Sequence, residues 1–440
     1  MGGVCNIPSH LSTPVKTTFH IADMDDNGLI CRALVVKIAS RCNLNCTYCY
    51  MYNLGDETYK MQPKVMSDAT IESLIQKVKT HITRHKIDRF TFVFHGGEPL
   101  LAGKEFITKF VSDANACLSE FADIRYSIQT NGVLLDEEWA YLLGHLNIHV
   151  GVSLDGLPEQ NDKFRIDHAG RGSYKSIVAG LKFAQASTTA TLPPGLLCVL
   201  DITSDPIKTY EHFKSLAADN VDFLLPDANY DKPPVLGNTE GITPYGDWLI
   251  AVFDRWRQDK NRISIRFFRN IMQSILGKPI GSDMLGSGHN EVLVIETNGD
   301  IESVDVLKIC GHAFTKTNAN VHATEFDEAL TTPLARLYNL SHINLPKKCI
   351  SCPVNDICGG GYLPHRFSSK NGFNNPTVYC KDFMKLITHI QNIVLGEFPP
   401  EILIKSGISI LTYKDALEMV ELYHMEEDPS YIKELTNYYD

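Results

Sequence analysis

Between residues 34 and 225, short β-branched runs alternate with longer amphipathic ones, and few folds accept that order. Leu34–Ala39, Phe90–Phe94, Ile124–Gln129, His149–Leu154, Gly195–Leu200 and Val221–Leu225 read as strands. Helical stretches separate them, at Ser67–Arg84, about 103–121, Glu137–Leu146, about 173–186 and about 206–217. In the first of these, Ile71, Leu74, Ile75, Val78 and Ile82 recur at helical spacing. Such alternation calls for an α/β fold whose parallel sheet is joined by right-handed crossovers. In barrels of this kind the reacting residues sit at strand C-termini. Polar and glycine-rich segments fall at those ends: the loop after Ala39, His95-Gly96-Gly97-Glu98-Pro99, Gln129-Thr130-Asn131-Gly132, Ser153-Leu154-Asp155-Gly156 and Leu225-Pro226-Asp227.

The loop after the first strand reads Arg41-Cys42-Asn43-Leu44-Asn45-Cys46-Thr47-Tyr48-Cys49-Tyr50. Three thiolates so close can hold three corners of an iron–sulfur cube, and the loop offers no fourth cysteine. An iron without a protein ligand is an open coordination site, suited to chemistry. A zinc knuckle is the alternative, but zinc usually recruits a fourth ligand at CxxC or HxxxH spacing, and none lies near. A second group, Cys349, Cys352, Cys358 and Cys380, is spaced C-x2-C-x5-C-x21-C and can ligate a cluster completely. Structural zinc competes for this quartet as well. Twelve cysteines without a secretion signal point to a reducing, cytoplasmic setting and to metal ligation rather than disulfides. A net charge of −11 argues against nucleic acid and anionic membranes as partners. No run of 18 apolar residues suggests a membrane span.

The CxxxCxxC pattern followed by an aromatic residue resembles the signature of radical S-adenosylmethionine (SAM) enzymes. The resemblance implies a partial (β/α)6 barrel over about residues 34–230. It also implies a [4Fe–4S] cluster on Cys42, Cys46 and Cys49, whose free iron chelates SAM and whose electron cleaves it to a 5′-deoxyadenosyl radical. Gly96, Gly97 and Glu98 stand where that family binds the amino group of SAM. Ser153 and Asp155, followed by Asp162-Lys163-Phe164-Arg165 and Gly170-Arg171-Gly172-Ser173, resemble a segment of peptide-modifying members. There the serine and arginine hold SAM, and the fork of Arg165 suits its carboxylate. Gln129 and Asn131 are expected to face the ribose or the substrate, and Leu200 to pack on adenine or in the core.

Cys358-Gly359-Gly360-Gly361-Tyr362 resembles the SPASM domain of radical SAM maturases, which implies an auxiliary [4Fe–4S] cluster on the quartet. The complete SPASM pattern has a further cysteine where this chain has Tyr362. The hairpin Asn298-Gly299-Asp300-Ile301-Glu302-Ser303-Val304-Asp305 also lacks the cysteines that serve another auxiliary cluster. Two [4Fe–4S] clusters in all are therefore expected. The expected organisation is an N-terminal extension (1–33), the barrel (34–235), a helical bridge (236–285), a SPASM-type domain (286–395) and a helical tail (396–440).

The hairpin, the segment Cys358–Phe367 and Gly372-Phe373-Asn374-Asn375-Pro376 look like those of cyclophane-forming maturases, which join an aromatic carbon to the Cβ of a residue two positions on. The implied substrate is a ribosomal precursor peptide, and the implied reductant an electron donor such as flavodoxin or ferredoxin. Rearomatising the arene requires loss of a proton, for which Asp227 and Asp305 are the candidate acceptors. A separate partner or the SPASM region is expected to recognise the leader. Alternatives are a thioether-forming or epimerising maturase, a sulfatase-maturating type of dehydrogenating enzyme, and a non-catalytic iron–sulfur scaffold.

Overall fold

The computed structural model describes residues 28–235, 242–406, 410–422, 429–436 and 438. Most of the expected N-terminal extension lies outside the described residues. Six parallel strands form the core sheet: β1 (Ala33–Ala39), β2 (Arg89–Gly96), β3 (Asp123–Thr130), β4 (Ile148–Ser153), β5 (Gly195–Val199) and β6 (Asn220–Leu224). Helices α1 (Asp68–His85), α2 (Lys104–Leu118), α3 (Glu137–His145), α4 (Pro158–Phe164), α5 (Tyr174–Ala186) and α6 (Pro206–Ser215) fill the crossovers. Their boundaries follow local chemistry. Ser67 caps α1 by accepting the Thr70 N–H, and Asp136 and Asp205 cap α3 and α6 in the same way. The apolar face of α1 buries Ile71, Leu74, Ile75, Val78 and Ile82 against the sheet.

The sheet runs on past the barrel at both edges, in the order β7-β6-β5-β4-β3-β2-β1-β8-β9. Helix α7 (Pro244–Gln258) leads to β7 (Ser264–Ile265), which pairs in parallel with β6 before α8 (Arg266–Ile275). The stretch expected to be a purely helical bridge thus also contributes an edge strand. Strand β8 (Val292–Ile295) lies parallel to β1, from Ala33↔Val292 to Val36↔Ile295, so the hairpin closes directly onto the barrel. Alternation over Ile301–Leu307 predicts a return strand of that length after the Asn298-Gly299 turn, and the strand formed is shorter. Only β9 (Ile301–Glu302) pairs, and residues Asp305–Cys310 coil into a 3-10 turn. The reason is electrostatic: Asp305 turns inward to the buried Lys37 instead of continuing the ladder.

Short helices α9 (Phe326–Leu330), α10 (Pro333–Asn339), α11 (Lys347–Ile350) and α12 (Asn355–Cys358) follow, then the long α13 (Cys380–Gly396) and the tail helices α14 (Pro400–Ser406), α15 (Tyr413–Leu422) and α16 (Pro429–Thr436). The tail docks on this part of the chain: Leu435 is buried, and its carbonyl accepts the Phe373 N–H at 2.8 Å. Among the described residues, no helix is long and apolar enough to cross a membrane.

Candidate active site

The loop after β1 is stitched to the end of β2. Gly97 N–H donates to the Ala39 carbonyl and Glu98 N–H to the Arg41 carbonyl, each at 2.9 Å. At Gly96, with φ of 137°, a Cβ would fall 2.0 Å from the Ala39 carbonyl oxygen, so only glycine allows this approach. The Glu98 carboxylate is fully buried and taken up internally, by the Leu100 N–H, the Thr130 hydroxyl and the Asn131 N–H. Burial raises its pKa despite those three bonds. What this turn can offer a ligand is therefore backbone. Asn131 reaches the same loop, its Nδ2 donating to Asn43 Oδ1 at 2.7 Å.

The other wall comes from the ends of β4 and α4. Tyr48, between the second and third cysteines, donates to Asp155 Oδ2 at 2.5 Å, and Arg165 Nη1 donates to the Tyr48 hydroxyl at 2.8 Å. Arg165 is buried, yet among the described residues its Nε has no partner. Gln129 Nε2 donates to Ser153 Oγ at 2.9 Å. Leu200 is 3% exposed and packs within the main core. Burial drives the Cys42 thiol up to about 12 and the Cys49 thiol up to about 11; Cys46 is raised as well, with Arg165 opposing. A thiol so placed becomes a thiolate only with a cation beside it.

The second cysteine group converges too. Cys349, Cys352, Cys358 and Cys380 line one cavity between α11, α12 and α13. Burial raises all four thiols, and the charges of the other three each bear on Cys358. The chain leaves Cys358 through Gly359, Gly360 and Gly361, all at positive φ. A Cβ at Gly359 would lie 1.7 Å from the Gly286 carbonyl oxygen. This turn delivers Tyr362 into an apolar cluster with Val304, Leu307, Leu363, Phe367 and Phe373.

Beside the cysteine loop lies a buried charged layer. Lys37, on β1, is completely buried and ion-paired with Glu296 (3.2 Å) and Asp305 (3.1 Å). Tyr50, next to Cys49, donates to Asp305 Oδ2 at 2.6 Å. Burial would raise the Asp305 carboxyl, but Lys37, then His95 and the Tyr50 hydroxyl, hold it well below the usual carboxylate range. Lys308 extends the layer to Glu296 (3.1 Å) and Glu302 (2.8 Å). Asp227 has its side chain 23% exposed, with His365 Nε2 3.9 Å from its Oδ1. Sequence reasoning missed Lys37, Tyr48 and His365 as site residues. A lone lysine inside the apolar run Leu34-Val35-Val36-Lys37-Ile38-Ala39 was the available signal for the first.

Residues 36–217 match the family model described as the Radical SAM superfamily. This segment is a radical SAM domain. The chain is also 27% identical, over 81% of its length and 95% of the relative's, to a cysteine-type anaerobic sulfatase-maturating enzyme of Clostridium perfringens. Among solved structures, native anSMEcpe with bound AdoMet and Cp18Cys peptide superposes with a TM-score of 0.69 at 25% identity, covering 83% of this chain and 99% of that one. Streptococcus suis SuiB bound to its precursor peptide SuiA shares the fold, with a TM-score of 0.51 at 16% identity over 80% of this chain and 76% of that one.

SAM and [4Fe–4S] iron are the cofactors of a radical SAM domain, and the donor sets here fit them. Three thiols on one loop stand beside a buried Arg165 whose Nε, among the described residues, is unpartnered and able to meet a carboxylate. Four thiols enclose a separate cavity able to ligate a cluster fully.

Proposed function

We propose that this radical SAM enzyme matures a ribosomal precursor peptide by joining an aromatic ring carbon to a nearby Cβ, with loss of two hydrogens. The peptide class draws support from anSMEcpe and SuiB, whose structures hold peptides. The observation that favours the cyclophane reading is Tyr362. Where a complete SPASM pattern has a further cysteine, this side chain is packed in an apolar cluster with Val304 and Leu307 of the cysteine-free hairpin. One closed quartet then serves as the auxiliary site, as in the cyclophane-forming subgroup that the sequence resembles.

When bound, SAM and its cluster supply the one-electron chemistry that removes a hydrogen atom from an unactivated C–H bond. The chain's own residues have simpler tasks. Arg165 holds the SAM carboxylate, the Gly96-Gly97 turn presents backbone to its amino group, and Tyr48 and Asp155 fix the guanidinium from behind. Balance then requires the substrate to give up one hydrogen atom, one proton and one electron. Of the two acids expected to take the proton, Asp305 is bound to Lys37 and Tyr50 and is a weak base. Asp227 keeps an open face and is the better acceptor. The fully ligated quartet suits the electron.

Co-expression with a candidate precursor, followed by mass spectrometry, tests this reading. The expected product has lost two hydrogens and resists fragmentation between the joined residues. The sulfatase-maturating relative supports a second reading, dehydrogenation of a single side chain. A dehydrogenated serine carries an aldehyde, and a dehydrogenated cysteine gives one when water displaces sulfide from its thioaldehyde; hydrazine captures either, whereas a carbon–carbon link does not react.

A further inference from the structure

His365 stands beside Asp227, and no task has yet been given to its ring. Its ring is 1% exposed, and among the described residues neither ring nitrogen has a hydrogen-bond partner. Leaving buried nitrogens unpaired costs free energy, and native folds keep few such groups. The ring is held firmly all the same. It stands edge-on to Tyr362 (centroids 5.2 Å apart, 89° between planes) and to Tyr379 (5.1 Å, 69°). Its backbone N–H donates to the Tyr362 carbonyl, and its carbonyl accepts the Val378 N–H.

Among the described residues, Asp227 is the acid paired with this ring, with Oδ1 3.9 Å from Nε2. That separation exceeds a hydrogen bond by about 1 Å. The Tyr379 hydroxyl donates to the Pro226 carbonyl at 2.7 Å, so the backbone before Asp227 is tied to the tyrosine that flanks the imidazole. Closing the gap calls for a rotation of the Asp227 side chain. Asp227 also bears electrostatically on Tyr50 and Tyr362, which places it between the cysteine loop and the C-terminal part.

We propose that His365 is a positioning residue that acts through Asp227. When the substrate peptide covers the open face of Asp227, the His365 Nε2–H donates to Oδ1 and leaves Oδ2 aimed at the peptide. Excluding water strengthens that bond, and a buried nitrogen gains the partner it lacks. This inference rests on the reading of Asp227 as the proton acceptor.

Two variants of the full-length, cluster-loaded enzyme test it. His365→Phe fills the slot between Tyr362 and Tyr379 without a buried donor, and its Tm should rise above that of the wild type. With the precursor peptide found to be crosslinked by the wild type, its kcat should fall tenfold or more while KM stays within about twofold. His365→Gln, whose side-chain amide reaches the position of Nε2, should recover kcat to within about threefold of wild type. A lower Tm for His365→Phe would mark an ordinary structural histidine and overturn the inference. So would an unchanged kcat, or a loss confined to KM. If the wild type itself yields no crosslink, the functional reading fails first and takes this inference with it; a crosslinking wild type matched by His365→Phe sinks the inference alone.

Discussion

Among the described residues Arg165 uses only part of its fork: Nη1 donates to Tyr48, and Nε is left unpaired in a buried place. A charge-assisted bond from such a donor contributes about 1.5–3 kcal/mol. Arg165→Ala should therefore weaken SAM binding roughly tenfold to a hundredfold, measured by equilibrium dialysis on cluster-loaded protein. A change under twofold would remove Arg165 from the SAM site. Lys37 makes a different prediction, because its partners are permanent. Lys37→Met leaves Asp305 buried without its main cation, and loss of one partner from such a pair costs about 3–5 kcal/mol. The Tm should drop accordingly. The sign with pH is fixed too. Asp305 has a folded pKa below its unfolded value of about 3.9, so its stabilisation is present above that pH and lost as pH falls through the folded value. These two residues also mark how far sequence can be read. Arg165 stood in a recognisable segment, but nothing in the sequence announced that Tyr48 would lie against it. That contact joins α4 to the cysteine loop across more than a hundred positions of chain, and local patterns carry no such information.

Helices α1 and α9 meet through a carboxylate. Asp327 Oδ1 accepts from His81 Nδ1 (2.7 Å) and His85 Nε2 (2.8 Å), and Arg84 pairs with Oδ2 (2.5 Å). The three ligand-type atoms lie within 4.8 Å of one another, close enough to suggest a metal site. The other nitrogen of His81 decides against it: Nε2 accepts the Cys31 N–H at 3.1 Å, so the ring proton sits on Nδ1 and points at Asp327. The trio is a clamp between the barrel and the C-terminal part. Burial opposes ionisation of Asp327, but its bonds from Arg84, His85 and His81 lower its pKa overall. Burial lowers the pKa of His81, against the pull of Asp327. Both folded values are depressed, so the stabilisation is full above about pH 6.5 and declines as pH falls below it. Thermal melts from pH 7.5 to 5.5 should show a falling Tm, with a flatter line for His81→Gln. An equal slope in the variant would assign the acid sensitivity elsewhere. At this scale the sequence was a good guide to the barrel, because each strand and helix shows its own period. It overran at β9, where Ile301–Leu307 alternates like a strand but Asp305 leaves the ladder for Lys37. Nor could it show that β8 would extend the barrel by pairing with β1, since edge pairing between distant strands leaves no local trace.

Across the whole molecule, two cysteine groups differ in the number of ligands they offer, three on the loop after β1 and four around the cavity between α11, α12 and α13. Three ligands would leave an iron open for SAM, and four would close an auxiliary site. The prediction that discriminates best between readings is therefore analytical. Anaerobically reconstituted protein should hold about eight irons and eight sulfides per chain, two four-iron clusters. Cys42→Ala/Cys46→Ala/Cys49→Ala should retain about four, with no SAM cleavage under dithionite. Cys349→Ala/Cys352→Ala should also retain about four. In that variant SAM cleavage should persist while crosslinked product is lost, because the thiols of the radical-initiating loop are untouched. About four irons with one zinc in the wild type would make the quartet a structural zinc site and leave the spare electron without an acceptor. Each cluster also binds the folded chain far more tightly than the unfolded one, so chelation should lower Tm. The loss should be larger for the quartet, whose ligands tie α11, α12 and α13 together, than for the loop cluster, whose three ligands lie on one short segment. An equal loss from both sites would mean that α11, α12 and α13 hold together without their metal.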